Sequence, residues 1–244
     1  MICSFFDDLR GYIVGGHSDG IILKTIDGGK TWLSTDFQVG LSSIYFINET
    51  TGFASGRKLF RTQDGGETWN EMDLGYFAYG NLNFFDGKSG FLAASNYPAG
   101  NSLLKTTDGG SSWRVVDNLN NIMGTHTIGK IQINNDVACL LSNGATIYTT
   151  QDKGITWNSI DSPILNSIHF INKRQAVGVG QHWYDLGYFS NGMLCITNDG
   201  GKSWEQKYFS PSEFLSINDI DFVNDSTALA IGNSPEGCVI KLDF

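Results

Sequence analysis

Thr62-Gln-Asp-Gly-Gly-Glu-Thr-Trp69 is the phrase whose reading decides the fold, because the chain repeats it at regular intervals. It recurs as Thr25-Ile-Asp-Gly-Gly-Lys-Thr-Trp32, Thr106-Thr-Asp-Gly-Gly-Ser-Ser-Trp113, Thr150-Gln-Asp-Lys-Gly-Ile-Thr-Trp157 and Thr197-Asn-Asp-Gly-Gly-Lys-Ser-Trp204. The aspartates Asp27, Asp64, Asp108, Asp152 and Asp199 stand 37, 44, 44 and 47 residues apart. Trp32, Trp69, Trp113, Trp157 and Trp204 close the phrase and account for all but one of the tryptophans. A fixed period of this length marks a repeat architecture.

Each position has a physical task. The Asp carboxylate accepts backbone N–H bonds within its own turn. The second glycine (Gly29, Gly66, Gly110, Gly154, Gly201) is the same in all five copies, whereas the first becomes Lys153 once. That contrast predicts that the second position carries the positive φ of a hairpin turn. The leading Thr and the Thr or Ser before the Trp offer hydroxyls to tie the hairpin ends. The Trp then opens the next strand and buries its ring between sheets.

Upstream of each phrase the pattern also repeats. An alternating strand comes first: Ile44-Tyr-Phe-Ile47, Leu82-Asn-Phe-Phe85, Ile131-Gln-Ile-Asn134, Ile168-His-Phe-Ile171 and Ile220-Asp-Phe-Val223. A strand of small residues follows, as in Gly52-Phe-Ala-Ser-Gly56, and a third strand such as Lys58-Leu-Phe-Arg61 leads into the phrase. Period-2 alternation with turn residues at short spacing indicates strands. Four antiparallel strands in each unit of roughly 40–45 residues predict an all-β fold, a six-bladed β-propeller. The units start near residues 1, 41, 81, 129, 166 and 218, and together make one domain over residues 1–244. The sixth reaches Gly237-Cys-Val-Ile-Lys-Leu-Asp-Phe244 with neither a Trp turn nor an outer fourth strand. Cys3-Ser-Phe-Phe6 already serves as the first strand of unit one. Either the last blade is three-stranded, or residues upstream of the sequence complete it.

The 244 residues are 41% hydrophobic and 17% charged, the balance of a folded chain. Thirty glycines against four prolines point to tight turns rather than disordered linkers. A net charge of −9 argues against a nucleic-acid binder, since there is no basic surplus to release counterions from a phosphate backbone. No apolar stretch approaches the length of a membrane span. The start, Met1-Ile-Cys-Ser-Phe-Phe-Asp7, lacks the basic and apolar regions of a signal peptide. The compartment stays open: cytoplasmic if residue 1 is the native start, exported if the N-terminus is incomplete. Cys3, Cys139, Cys195 and Cys238 lie singly in apolar runs, with no C-x-x-C pair and no His at zinc-site spacing. They read as reduced, buried thiols, and neither a metal nor a cofactor is expected.

The phrase matches the Asp-box, or BNR, repeat (S/T-x-D-x-G-x-T/S-W) over essentially the whole chain. It resembles the repeats of bacterial sialidases, several other glycosidases and sortilin-like receptors. With the Gly-x-Ala-x-Gly strand before it, it looks most like the photosystem II stability/assembly factor-like propellers. That resemblance implies a non-enzymatic binding or assembly module. It also implies that the box turn joins the third and fourth strands at the periphery, away from the ligand face, so the five box aspartates and tryptophans are structural. Fold-level analogy does not by itself set function.

On that geometry the ligand face carries the loops between second and third strands and those joining successive blades. The former are His17-Ser-Asp19, Arg57, Asn96-Tyr-Pro98, the long Gln181-His-Trp-Tyr-Asp-Leu-Gly-Tyr-Phe-Ser-Asn191 and Ser234-Pro-Glu236. The latter include Tyr76-Phe-Ala-Tyr79, His126 and Phe214. Trp183, the one tryptophan outside the boxes, sits in the longest loop beside His182, Tyr184, Asp185 and Tyr188. Rings with a few polar groups either stack on a sugar or anchor a protein. The expected contact set for a protein or glycan partner is Trp183, Tyr184, His182, Tyr188, Tyr76, Tyr79, Tyr97 and Arg57. The bland alternative is a long loop packing its own aromatics.

Sialidase chemistry needs three guanidiniums converging on the substrate carboxylate. Of five arginines, Arg10 and Arg174 fall in turns on the opposite face, Arg61 lies in a third strand and Arg114 follows a box Trp. Only Arg57 is placed to serve, so that chemistry is not assembled. A glycoside hydrolase with two carboxyls about 5–9 Å apart is the runner-up, drawing on Asp19, Asp185 and Glu236. Loop acids in so acidic a chain are ordinarily solvated. His169 and Asp221 hold equivalent first-strand positions in adjacent units, which suits a hydrogen-bonded pair better than a catalytic one.

Overall fold

The computed structural model describes residues 2–78, 80–96, 100–117, 119, 128–134, 137–142, 145–184, 189–210, 215–224, 226–234 and 239–243. Within them, alternating apolar and polar residues broken by Gly, Asp and Asn turns form six antiparallel meanders. Sheet one is β1 (Ile2–Phe5), β2 (Gly11–Gly15), β3 (Ile21–Thr25) and β4 (Leu33–Asp36). Sheet two is β5 (Leu41–Phe46), β6 (Gly52–Gly56), β7 (Leu59–Thr62) and β8 (Asn70–Met72). Sheet three is β9 (Leu82–Phe84), β10 (Gly90–Asn96), β11 (Gly100–Thr106) and β12 (Arg114–Val115). Sheet four is β13 (Ile128–Asn134), β14 (Val137–Ser142), β15 (Thr146–Thr150) and β16 (Asn158–Asp161). Sheet five is β17 (Leu165–Phe170), β18 (Ala176–Tyr184), β19 (Phe189–Thr197) and β20 (Glu205–Tyr208). Sheet six has three strands, β21 (Ser216–Asn224), β22 (Thr227–Asn233) and β23 (Val239–Asp243), without the box and the fourth strand of the others. The fold is a six-bladed β-propeller, with three strands described in its last blade.

The chain divides into two compact units, Met1–Ile131 and Gln132–Phe244. In the first, Tyr12, Val14 and Ile22 pack with Ile44, Ala54 and Phe60 between sheets one and two, and Trp69 closes that layer. Phe53 and Leu59 meet Leu82, Phe84, Leu92 and Leu104 between sheets two and three, closed by Trp113. In the second unit, Val137, Cys139 and Ile147 meet Ile168, Met193 and Cys195 between sheets four and five, with Trp204 against them. Val177, Val179 and Leu194 meet Ile217, Ile220 and Ala228 between sheets five and six. Second strands such as β6 and β14 are enclosed on both faces with every residue buried, whereas β22 of sheet six is open on one face. Enclosure is why the β6 and β14 sequences run to small and apolar residues without alternation. Outer strands such as β4 and β20 are exposed throughout.

The box joins third to fourth strands, as the resemblance implies, and its hydrogen bonds repeat. The buried Thr25 hydroxyl donates to Asp27 Oδ1 (2.8 Å) and accepts the Gly29 N–H (2.9 Å). The Thr31 N–H donates to Asp27 Oδ1 (2.9 Å) and its hydroxyl to Oδ2 (2.6 Å). Asp64, Asp108, Asp152 and Asp199 are held in the same way. These donors favour the carboxylate, with the Thr or Ser hydroxyl four residues on contributing most. Asp27, Asp64 and Asp108 fall to about 2, and Asp152 and Asp199 are also lowered.

The turn bears out the positive φ expected of the second glycine and shows it at the first position as well. The second glycines do carry positive φ, from 74° at Gly110 to 90° at Gly201, but so do the first: Gly28 at 74°, Gly65 at 69°, Gly109 at 69° and Gly200 at 81°. Lys153 holds the same left-handed conformation, φ 56°, and is the one non-glycine with positive φ among the described residues. The first-glycine N–H donates to the turn between first and second strands, Gly65 to the Thr50 carbonyl (2.9 Å) and Gly200 to Arg174 (2.8 Å). In three boxes the second glycine also touches the preceding sheet, Gly66 lying against Tyr12, Gly110 against Phe53 and Gly201 against Ile160. A Cβ on Gly110 would lie 2.3 Å from Phe53 Cζ, and the Tyr12 hydroxyl donates to the Gly65 carbonyl (2.8 Å). The box therefore seals its own hairpin and also cements sheet to sheet. The fourth strand begins one residue after the Trp, at Leu33, Asn70, Arg114, Asn158 and Glu205.

Cys139 and Cys195 are buried free thiols in one apolar cluster. Burial raises both, Cys195 to about 12. The Cys3 side chain and Cys238 lie outside the described residues.

Candidate binding sites

A meander places its first and third turns at one end of the sheet, and its middle turn and outgoing linker at the other. The boxes occupy the first end. In sheets one and two the other end is knitted by backbone bonds: Leu41 N–H to the Gly16 carbonyl (3.2 Å), Gly20 N–H to Val39 (3.0 Å) and Arg57 N–H to Gly40 (3.1 Å). Asp19 and Arg57 both lie there with exposed side chains.

Arg57 and Tyr76 come together in the first unit. They line a groove of about 320 Å³ with Val39, Met72, Leu74 and Phe77. Asp73 Oδ1 accepts the Gly75 N–H (3.0 Å), and Gly75 takes φ 66°, turning the linker back over the groove. Phe77 then pairs with Ser95 through two backbone bonds of 2.8 Å, which fix a ring that remains 44% exposed. Lys58 and Glu71 on the rim are ion-paired (2.7 Å), whereas Arg57 has no ion pair among the described residues. Tyr79 and Tyr97 lie outside the described residues. Phe77 was not in the expected set; the aromatic run Tyr76-Phe-Ala-Tyr79 was the signal that could have found it.

The second unit contains the larger hollow, and it corrects the reading of a long loop. The β17 register ends at Gly180 and the β20 register at Met193, while β18 and β19 stay paired to Tyr184 and Phe189. Gln181–Tyr184 and Phe189–Asn191 are therefore strand, a ribbon standing beyond its sheet. On one side of it lies a cleft of about 570 Å³. His182 and Tyr208 line it with ring centroids 4.8 Å apart, and Trp183 lines it too. Met193, 2% exposed, and Trp204 line it deeper, and the linker Asp161–Ile164 faces the rings. Trp183 is 48% and Tyr208 45% exposed. Sequence reading found His182 and Trp183 but missed Tyr208 and the linker wall, which lie far from them in the chain. Tyr184 is placed in β18 without a described side chain, and Tyr188 lies outside the described residues.

Among the described residues, Asp161 is the one carboxylate lining this cleft, and glycoside hydrolysis takes two. Of the three acids weighed for that role, Asp19 is described and Asp185 and Glu236 are not. His169 Nδ1 is 3.1 Å from Gln132 Nε2 and its ring lies 4.6 Å from that of Phe222. Among the described residues no cluster of three or more His, Cys, Asp or Glu side chains could hold a metal ion, and no helix is long and apolar enough to cross a membrane.

The sequence profile of the family described as Photosynthesis system II assembly factor YCF48 matches residues 33–180. No curated protein matches the chain. Among solved structures it is similar to a GH74 enzyme of Niastella koreensis, with TM-score 0.73 and 16% identity over 95% of this chain and 43% of that one. It is similar to YCF48 bound to D1 peptide, with TM-score 0.59 and 18% identity over 99% and 92% of the two chains. It is also similar to YCF48 from Cyanidioschyzon merolae, with TM-score 0.57 and 16% identity over 99% and 94%. At these identities the likeness is one of fold, and the chain spans less than half the length of the GH74 enzyme.

Proposed function

This chain belongs to the photosynthesis system II assembly factor YCF48 family, and on that premise we propose that it is a non-enzymatic propeller that binds a protein partner. A structure of YCF48 holds a D1 peptide, which supports a peptide as the kind of ligand such a propeller takes. The observation that carries the reading here is the Arg57–Phe77 groove: a half-exposed ring on a hydrogen-bonded linker, beside a guanidinium with no ion pair among the described residues. An apolar side chain of the partner packs on Phe77 and Tyr76, and an adjacent carboxylate meets Arg57. Because the sheets hold the groove in place beforehand, little ordering opposes binding. The fold shared with GH74 enzymes carries no activity to this chain.

Selection of phage-displayed random peptides on the purified protein tests this. Enriched sequences should place an acidic residue next to a large apolar one. Arg57→Ala and Phe77→Ala should each weaken the selected peptides by about tenfold or more. Failure to enrich any peptide, or peptides indifferent to both substitutions, would overturn the reading.

A further inference from the structure

We propose that the cleft beside the β18–β19 ribbon is a binding site for a neutral oligosaccharide, separate from the protein-binding groove of the first unit. Its volume, about 570 Å³, falls within the range of roughly 300–1,000 Å³ usual for small-ligand sites. Its lining mixes apolar and aromatic surface with neutral polar groups and carries few charges. Trp183 and Tyr208 each leave almost half their surface open, and His182 is exposed beside them. Single exposed rings are ordinary on a protein surface, but several around one hollow mark a site. The π faces carry negative potential and so attract the weakly positive C–H faces of a pyranose ring.

Between the rings stand Gln181, Gln206, Ser162 and Ser203. Gln181 and Gln206 can each donate and accept, the requirement set by a sugar hydroxyl, while the Ser162 and Ser203 hydroxyls, which donate to the Pro163 carbonyl and to Asp199 Oδ2, can accept. Tyr208 donates to Gln206 Oε1 (2.5 Å), so ring and amide are presented as one unit. Charge selects against other occupants. Among the described residues of the lining, Lys202 and His182 are the basic side chains and Asp161 the acid. The cleft is therefore near neutral, whereas an anionic ligand would meet a chain of net charge −9. A peptide anchored by a charged residue finds no surplus of either sign. A glycan needs none.

Titration calorimetry on the full chain with cellohexaose, xylohexaose, laminarihexaose, maltohexaose and chitohexaose tests the site. At least one of the five should bind saturably, and Trp183→Ala and Gln206→Ala should each weaken it about tenfold or more. Trp183→Phe should restore much of the affinity, and Arg57→Ala should leave it unchanged. Tyr208→Ala serves as a second ring variant should Trp183→Ala fail to fold. Absence of binding by all five sugars at about 10 mM would overturn the proposal, as would affinity unaltered in these cleft variants. If the selected peptides lose affinity in Trp183→Ala and the sugars do not bind, the cleft belongs to the protein partner instead. Loss of peptide binding with sugar binding intact would sink the protein reading alone.

Discussion

At the box end of the sheets, five turns repeat one geometry so closely that the Thr or Ser hydroxyl donates to Asp Oδ2 at 2.6 Å in every copy. At the other end the described connections differ. Sheet one turns through His17-Ser-Asp19, sheet two through Arg57 and Lys58 alone, and sheet five extends nine-residue strands into a ribbon. The box end holds hairpin and neighbouring sheet together, so a change in any of its atoms is felt by both. The far end is fixed by a few backbone bonds, so its side chains are free to differ, and both hollows open among them. The division has one crossing: Lys202, Ser203 and Trp204 of the fifth box reach the flank of the cleft.

The largest effect that could break this comparison is expected from Gly110→Ala. Its φ of 74° disfavours a Cβ, and that Cβ would lie 2.3 Å from Phe53 on the preceding sheet. The two costs together should destabilise by about 3 kcal/mol in urea titration. Gly87→Ala, whose Cβ would find Ile47 at 3.6 Å, should change stability by less than about 0.5 kcal/mol. Similar losses at both would remove the claim that the second glycine is a sheet-to-sheet contact.

Acid should act on all five boxes together. Each box carboxylate lies below its usual range in the folded chain, Asp27, Asp64 and Asp108 at about 2. A depressed folded value means that the unfolded chain takes up protons first as pH falls. The stabilisation is thus complete above about pH 4 and is lost progressively as pH falls toward 2. Asp64→Asn should lower the thermal midpoint at neutral pH and flatten its fall across that window. A steeper fall in the variant would contradict the assignment.

The smallest effect sharpens the comparison from within the box end. Lys153 sits at φ 56°, where the other four copies carry glycine. Lys153→Gly should stabilise by about 0.5–1 kcal/mol, the relief of a left-handed side chain offset by glycine's freedom in the unfolded state. A loss of stability would mean that the Lys153 side chain does something the backbone does not reveal.

Much of this was legible because the box writes its constraints in residue identity. Invariant Gly29 and its counterparts pointed to positive φ, and the recurring Trp to a layer between sheets. The first glycine misled, since Lys153 shows that a side chain can be forced into that conformation at modest cost. Gln181-His-Trp-Tyr184 read as loop because its residues lack the apolar alternation of a half-buried strand. A ribbon standing beyond its sheet has no buried face to impose one. Arg57 and Tyr76 were found as neighbours of a common end. Tyr208 and Asp161–Ile164 were missed because a cleft between sheets joins residues by packing rather than by sequence.

The most direct test of the division between the two ends is a side-by-side urea titration of Gly110→Ala and Arg57→Ala, with the selected peptide's affinity read on the same samples. The account predicts a lower midpoint with near-native affinity for folded Gly110→Ala, and a wild-type midpoint with affinity lost for Arg57→Ala. A wild-type midpoint in Gly110→Ala, or peptide binding undiminished in Arg57→Ala, would contradict it.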